Sequence, residues 1–199
     1  MTESREPVDL PLSSPIWGEF FTVAPLVMVG TVEGDGHDFA PKHMALPLGW
    51  ENRFGFVCSP RHATQRNAER TGSFTVSFLR PNELMEASLA AAPREADSSK
   101  PSLAGLPVRE STRVEGVLLE GAYLWLECEL DRIIDGFGEN TLIVGEIVAA
   151  AVAEDYQRAS EVDDADLIRR APILAYVSPG RIASISETFS FPFPAKFKR

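Results

Sequence analysis

The segment RFGFVCSPRHATQRNAERTGSFTVSFL, residues 53–79, joins two strand-like runs by a polar link that carries more charge than a plain connector requires. Residues 53–58 and 73–79 are rich in aromatic and β-branched side chains, which are typical of strands. The link begins as SPRHA and continues as a helical pattern to about Glu69. Gly72 then supplies the residue type that commonly ends a helix. The segment therefore predicts a strand, a loop, a short helix and a second strand.

The loop at the start of this helix has two possible roles. The first N–H groups of a helix lack partners within the helix and the dipole is positive there, so Arg61 and Thr64 would form a compact phosphate-binding site. In the alternative interpretation, Ser59 or Thr64 caps the helix, and Arg61, His62 and Arg66 are solvated. The local sequence alone favours capping.

Strand patterns also occur on either side of this segment. The apolar run PLVMVGTV, residues 25–32, is followed by EGDGHD and then by FAPKHMAL, so residues 25–46 predict a hairpin. The G-D-G at 34–36 is not followed by a helix and lacks a third glycine, which excludes a Rossmann nucleotide loop. The run ILAYVS, residues 173–178, is predicted to be the last strand.

A second, longer hairpin is predicted over residues 122–152. The even positions 122, 124, 126, 128, 130 and 134 are apolar, which indicates a strand with one buried face. The odd positions that form its solvent-exposed face are acidic: Glu127, Glu129 and Asp131. The sequence DGFGEN, 135–140, then turns the chain. Residues 141–152 are apolar on both faces. This predicts a strand that packs on the core with one face and is covered by a helix or a second subunit on the other.

Helices are predicted at 81–92 and 163–171, between strands. Many strands at hairpin spacing with inserted helices favour a mainly β fold, a closed or nearly closed barrel, over a doubly wound parallel sheet. With 199 residues and 44% apolar content, the chain is long enough for one elaborated domain spanning 1–199.

Three segments stand apart from this predicted barrel. The first, residues 1–14, is predicted to be flexible, and residues 81–112 form an inserted helical segment. The C-terminal residues 186–199 carry four phenylalanines among two prolines and are too apolar for a free tail. This C-terminal arm either lies over a second subunit or packs on its own.

Composition excludes several classes of function. The formal net charge of −10, from 19 Lys+Arg against 29 Asp+Glu, disfavours nucleic acid as a partner. No apolar run is long enough for a membrane span and no secretory signal is present, so we predict a cytoplasmic protein without a membrane partner. The two cysteines lack a C-x-x-C spacing, and the three histidines lack ligand spacing, which predicts reduced core thiols and no metal site.

The order of these motifs resembles the flavin reductase-like family, whose fold is the FMN-binding split β-barrel, a Greek-key antiparallel barrel with inserted and flanking α-helices. The resemblance covers roughly residues 20–185. Its most specific parts are the Thr64-x-x-Asn67 element leading to Thr71-Gly72-x-Phe74, and the Gly145-Glu146-Ile147 strand after the second hairpin turn.

The resemblance implies a flavoredoxin-like protein that binds FMN at a homodimer interface, with the phosphate on the loop matching residues 59–64. Arg61 and Thr64 would contact the phosphate, and residues 41–45 would run beside the isoalloxazine ring. The candidate cofactor-binding residues implied in this way are Lys42, His43, Met44, Ala45, Cys58, Ser59, Pro60, Arg61, His62 and Thr64.

Two residues depart from the family pattern and are the candidate catalytic residues. Many relatives have a serine where this chain has His43, and a histidine where it has Asn140. Reduced flavin carries negative charge at its N1–C2=O edge, so a cation supplied by His43 or the preceding Lys42 would stabilise it. Asn140 can form hydrogen bonds but cannot titrate. The alternatives are a hydrogen-bonded strand histidine and an asparagine selected for its turn conformation.

Three functions are compatible with these observations. The preferred one is an FMN-dependent oxidoreductase of flavin-reductase type, which takes hydride from NADH or NADPH and passes electrons to flavin or a downstream acceptor. The second is a non-enzymatic FMN electron carrier that is reduced by a redox partner protein. The third is a flavin-free split-barrel interaction module that uses the acidic surface at 161–166.

Overall fold

The chain is built mainly from β-strands, and the computed structural model describes residues 6–159 and 161–194. The strands are β1 Thr22–Pro25, β2 Val27–Glu33, β3 Gly36–Lys42, β4 Ala45–Pro47, β5 Arg53–Cys58, β6 Ser73–Phe78, β7 Val108–Glu110, β8 Val117–Leu119, β9 Leu124–Phe137, β10 Asn140–Val152, β11 Ile173–Ser178 and β12 Arg181–Ile185. The α-helices are α1 Ala63–Thr71, α2 Leu84–Ala91 and α3 Asp164–Arg170.

The principal sheet has seven strands in the order β3-β2-β6-β9-β10-β5-β4, and every pair in it is antiparallel. It curls into a half-barrel. A three-stranded sheet, β1-β11-β12, and the β7-β8 pair complete the structure. The predicted mainly β, antiparallel split barrel with helices between its strands is therefore confirmed.

The segment 53–79 forms β5, α1 and β6 with almost the predicted bounds. Helix α1 ends at Gly72, whose φ of 70° is a conformation that favours glycine. The predicted cap is wrong, because the N-cap residue is His62 and its side chain makes no capping hydrogen bond, whereas Arg61, His62 and Arg66 are exposed as the same interpretation expected. Thr64 lies inside the helix and is buried, and Ser59 Oγ accepts from the N–H of Arg61 instead.

The long hairpin of β9 and β10 lies at the centre of the sheet. Its turn is shorter than the predicted 135–140, because β9 continues to Phe137 and pairs there with Asn140. Gly145 is required by packing: a Cβ at this position would lie 2.6 Å from the ring of Phe74 and 3.0 Å from Cys128. Any larger residue at Gly145 would therefore displace the core of the sheet.

The prediction that Glu127 faces solvent is wrong. Its carboxylate is buried and accepts hydrogen bonds from the backbone N–H groups of Thr112, Arg113 and Val114, at 2.6–3.2 Å, and from the Thr112 hydroxyl at 2.9 Å. Burial raises the pKa of this carboxyl, but the hydrogen bonds to the charged form outweigh burial, so the pKa is lower than the usual glutamate value. The loop after β7 is thus held by one carboxylate.

Replacing Glu127 by Gln should lower the free energy of unfolding by about 2 kcal/mol at pH 7, because an amide cannot accept all of these hydrogen bonds. The native pKa is depressed, so the advantage of Glu127 should be present above about pH 4.3, the unfolded value, and disappear as the pH falls through the folded value. Urea unfolding against pH measures this difference. The exposed Glu129→Gln is the matched control, and equal behaviour of the two variants would contradict the account.

The end of the chain revises one further expectation. Residues 173–178 form β11, but they are not the last strand, because β12 follows after a tight turn and pairs with β11 from Ile173↔Ile185 to Val177↔Arg181. Residues 186–194 continue beyond β12 without regular secondary structure. The predictions for the flexible N-terminus and the C-terminal arm extend to residues 1–5 and 195–199, which lie outside the described residues.

The core lies on both sides of the principal sheet. One cluster packs Phe54, Phe56 and Phe74 against Ala68 of α1, with Phe56 and Phe74 edge-to-face at 5.2 Å. A second cluster places α2 and Leu103 over Met28 and Phe39 of the β2-β3 hairpin. Both cysteines are buried as free thiols within the part of the chain that the structure describes. None of the helices in that part combines the length and apolar character needed to cross a bilayer.

Candidate functional site

A cavity of about 430 Å³ lies between the start of α1, the end of β3 and the segment 90–100. Its walls carry cationic side chains from all three elements: Lys42, Arg61, Arg66, Arg94 and Lys100, with His62 beside them. We call it the cationic cavity. The whole chain has a formal charge of −10, so this concentration of positive groups stands out, and its chemistry suits an anion.

The N-terminus of α1 opens into the cationic cavity through Arg61, His62, Ala63 and Thr64. Because no side chain caps this nine-residue helix, its first N–H groups remain available to an anion. Arg61 is exposed and forms an ion pair with Glu139 at the β9-β10 turn. An anion at the helix N-terminus would therefore compete with Glu139 for the Arg61 guanidinium.

Lys42, Cys58 and His62 form a contact group at the side of this cavity. Lys42 Nζ lies 3.4 Å from Cys58 Sγ, which in turn lies 3.9 Å from His62 Nδ1. Desolvation lowers the pKa of His62, and Lys42, Arg61 and Arg66 lower it further, against a smaller opposing effect of Asp38. His62 is thus mostly neutral at pH 7, so the positive charge comes from lysine and arginine.

The opposite wall depends on Asp38, a buried carboxylate of β3. It lies 3.0 Å from an Arg94 guanidinium nitrogen and 3.4 Å from Lys100 Nζ. Lys100 also donates to the Phe39 carbonyl at 2.8 Å, and Arg94 to Glu33 at 2.8 Å. These contacts anchor residues 93–100 beside the cavity. No local pattern indicates this wall, because Asp38 is about sixty residues from its partners in the chain.

Buried hydrogen bonds position α1 against the sheet. Asn67 Nδ2 donates to Thr31 Oγ1 at 3.2 Å, which joins the helix to β2. Thr141 Oγ1 lies 2.6 Å from Gln65 Oε1 and 3.2 Å from the Cys58 carbonyl, which joins the helix to β10 and β5. The Thr64-x-x-Asn67 element therefore acts partly through its asparagine as a structural tie.

A separate cavity of about 500 Å³ lies beside the three-stranded sheet, and we call it the apolar cavity. His43, Met44, Ala45 and Leu46 form one wall, and Trp17 and β1 form the other. The ring of His43 stacks on Tyr176 with centroids 4.4 Å apart. Desolvation and the nearby Lys42 lower the pKa of His43, so it is predominantly neutral at pH 7.

The predicted site residues divide between these two cavities. Lys42, Arg61, His62 and Thr64 line the cationic cavity, whereas His43, Met44 and Ala45 line the apolar cavity. Cys58 and Ser59 are buried at the end of β5, and Pro60 is exposed in the loop that follows.

Asn140 is exposed next to Glu139, at the β9-β10 turn. Among the described residues it forms no hydrogen bond with His43. No group of three or more His, Cys, Asp or Glu side chains suited to a metal occurs within residues 6–159 and 161–194.

The sequence profile of the family described as flavin reductase like domain matches residues 21–178. The chain belongs to the flavin reductase-like family. An uncharacterized protein of Methanothermobacter thermautotrophicus is 27% identical over 138 residues, a match that covers 66% of this chain and only 64% of that protein.

Solved structures of flavin reductase-like proteins have the same fold. Flavoredoxin from Methanosarcina acetivorans superposes with a TM-score of 0.77 at 16% identity, covering 96% of this chain and 97% of that one. Nitrilotriacetate monooxygenase component B from Bacillus cereus gives 0.79 at 19% identity, covering 94% and 100%. An FMN-binding protein from Thermus thermophilus with bound p-hydroxybenzaldehyde gives 0.71 at 20% identity, covering 94% and 99%. At these identities the likeness establishes the fold.

Proposed function

We propose that this protein is an FMN-binding oxidoreductase of flavin-reductase type, and that the cationic cavity holds the phosphate of FMN. The observation that carries the proposal is the uncapped N-terminus of α1 opening into a cavity lined by lysine and arginine. Helix N–H groups, a guanidinium fork and a hydroxyl are the donors that proteins use for phosphate. Family membership and the name of the Thermus thermophilus structure support FMN as the ligand.

Five residues of the cationic cavity have a definable task in this proposal. Arg61 exchanges its exposed partner Glu139 for the phosphate, a stronger and bidentate partner. Lys42, which makes a weak contact with Cys58 Sγ at 3.4 Å, adds a second positive charge. Thr64 is the second residue of α1 and supplies a hydroxyl. Arg94 and Lys100, which are held by Asp38, keep the opposite wall in place.

The bound flavin would supply the ring that accepts a hydride from NADH or NADPH and passes electrons to free flavin or another acceptor. Residues 41–45 connect the two cavities, since Lys42 faces the cationic cavity and His43 faces the apolar one. In this proposal the segment borders the flavin ring, and His43 offers a neutral imidazole that can donate or accept a hydrogen bond. The protein acts as a homodimer.

A non-enzymatic FMN electron carrier is the second candidate, and Asn140 is the observation that favours it. An amide at this position cannot carry the charge that a histidine would bring to a nicotinamide or a reduced flavin. Anaerobic stopped-flow mixing of the FMN-loaded protein with NADH and with NADPH separates the two functions. Flavin bleaching at a saturable rate supports the oxidoreductase. A carrier would keep its oxidised spectrum with both nucleotides until a protein donor is added.

Reduction of the native protein should be slow and should show no pH step at or above about pH 6.5, because the pKa of His43 is lowered and Asn140 does not titrate. Changing Asn140 to His should accelerate reduction by about tenfold, equivalent to roughly 1.4 kcal/mol, and introduce a step in the histidine range. The measurement is the anaerobic reduction rate against pH. Asn140→Gln, which stays neutral, is the control. Identical profiles of rate against pH for the native protein and both variants would show that Asn140 serves only the conformation of the turn.

A further inference from the structure

A buried carboxyl group without a partner lies at the start of α2. Glu83, the N-cap residue of this helix, is only 9% exposed, and its side chain forms no hydrogen bond or ion pair with any described residue. Glu86 lies one turn further along the helix, and its Oε2 atom is also buried without a hydrogen-bond partner. Buried polar atoms without partners are rare in folded proteins. Two such groups in one helical turn require an explanation, and we call Glu83 and Glu86 the carboxyl pair.

The turn between β8 and β9 covers the other side of Glu83. A Cβ at Gly121 would collide with the Glu83 carboxyl group, so this group lies directly against the backbone of the turn. The titratable residues of the turn supply no positive charge: Glu120 is exposed, and burial raises the pKa of Tyr123 to about 12. Glu83 is thus surrounded mainly by protein rather than water, which disfavours its charged form.

Two charged side chains act on the carboxylate of Glu83. Arg80 attracts it, but this guanidinium already donates to Asp155 at 2.6 and 3.0 Å. Glu86 repels it. Burial and the repulsion by Glu86 raise the pKa of Glu83 against the smaller opposing effect of Arg80. The proton on Glu83 is therefore held more tightly in the folded protein than in the unfolded chain.

Helix α2 connects the carboxyl pair to the wall of the cationic cavity. Its last two residues, Ala90 and Ala91, line that cavity. The helix has eight residues and is about 12 Å long, so a displacement of its start is transmitted to its end. Its fully buried residues are two alanines, Ala87 and Ala90, whereas Leu84 and Leu89 are only partly buried. Alanine contributes little apolar area, so α2 is held by modest packing.

We infer that the carboxyl pair is a pH-sensitive switch that controls the docking of α2 and, with it, one wall of the cationic cavity. While Glu83 carries its proton, α2 packs as the structure shows. Loss of this proton to solvent places two negative charges in one buried helical turn. The start of α2 then moves away from the β8-β9 turn towards water, and the wall formed by Ala90 and Ala91 loosens.

The direction of the pH dependence follows from the raised pKa of Glu83. Its contribution to the docking of α2 is fully present below about pH 4.3, the unfolded value, and is lost as the pH rises through the folded value. Glu127 acts in the opposite direction, because its advantage disappears on acidification. Comparison with Glu83→Gln at each pH removes this background, since a glutamine side chain stays neutral.

Hydrogen exchange of residues 84–92, followed by mass spectrometry on the native protein and on Glu83→Gln, tests the switch. The ratio of the two rates at each pH cancels the intrinsic pH dependence of exchange. The ratio should be near one at about pH 5 and rise to about tenfold at about pH 9, as for a pKa raised by one unit. Glu86→Gln removes the repulsion and should shrink the rise. Glu95→Gln, an exposed change in the same inserted segment, is the control and should behave as the native protein.

Three outcomes would overturn the inference. The first is equal exchange in the native protein and Glu83→Gln at every pH, and the second is a rise that Glu95→Gln also abolishes. The third is fast exchange of α2 in Glu83→Gln at about pH 5, which would show that α2 is held by a contact that needs the carboxylate charge.

The effect on flavin rests on the proposed function and is measured separately. FMN affinity of the native protein, relative to Glu83→Gln, should fall several-fold between the acid and the alkaline end of the range. A constant ratio of affinities alongside pH-dependent exchange would separate α2 from the binding wall and overturn that half of the inference. If FMN bound neither protein while exchange still responded to pH, the proposed cofactor would be contradicted and the switch supported.

Discussion

Replacing Arg61 by Ala should weaken FMN binding by about 1.5 to 3 kcal/mol, a loss of roughly 10- to 150-fold in affinity, with the fold unchanged. The reason is that Arg61 supplies a charge-assisted, bidentate partner beside the uncapped start of α1. Riboflavin has no phosphate, so its affinity should be the same for the variant and the native protein. Fluorescence titration of both flavins at one fixed ionic strength measures the difference.

Two further variants make this comparison specific. Arg132 is exposed, pairs with Asp131 and lies outside the cationic cavity, so Arg132→Ala should leave both affinities unchanged. Glu139→Gln removes the carboxylate that occupies Arg61 and should increase FMN affinity by a few-fold, since exposed pairs contribute about 0.2–1 kcal/mol. A parallel fall in FMN and riboflavin affinity in Arg61→Ala would show that the loop does not bind the phosphate.

Replacing Asp38 by Asn should lower the free energy of unfolding by about 3 kcal/mol, because removal of this carboxylate leaves the buried Lys100 ammonium without an ionic partner. Asp38 is buried between Arg94 and Lys100, and the Lys100 side chain is itself only 9% exposed. Loss of this contact should also release residues 93–100 from the wall of the cationic cavity. Urea unfolding measures the stability, and the rate of tryptic cleavage after Arg94 measures the release.

Asp131→Asn is the matched control for Asp38. Asp131 also pairs with two arginines, Arg53 and Arg132, but is more exposed, so its loss should cost less than about 1 kcal/mol and leave cleavage at 93–100 unchanged. If both aspartate variants were equally destabilised, burial of the Asp38 cluster would not be the cause. If Asp38→Asn lost stability without faster cleavage, the segment would be held by other contacts.

The parts of the fold that could be predicted are those with local signals. The 53–79 segment combines a period-two strand pattern, a helical stretch and a glycine in the left-handed region, and the structure places β5, α1 and β6 almost where the pattern does. The hairpin of β2 and β3 follows in the same way from Gly and Asp between two apolar runs. In each case the residues that determine the element lie within it.

The misjudged features depend on groups that are distant in sequence. Glu127 occupies a polar position of an alternating strand. The position is buried because the loop at 112–114 covers it and donates its N–H groups to the carboxylate. Strand β12 is short and mixes polar with apolar residues, which gives a weak strand pattern. It pairs along the edge of β11, a partner that its own sequence does not indicate. The cationic cavity likewise assembles Lys42, Arg61 and Lys100 from three separate elements, which no local pattern can indicate.

Calorimetric titration of the native apoprotein with FMN and, in parallel, with riboflavin is the most direct test of the central claim that the cationic cavity binds the phosphate of FMN. We predict one FMN per chain, with an affinity at least about tenfold higher than that for riboflavin at low salt, a margin of roughly 1.4 kcal/mol, and a smaller margin at high salt. Equal affinity for the two flavins, or no flavin binding at all, would contradict the account.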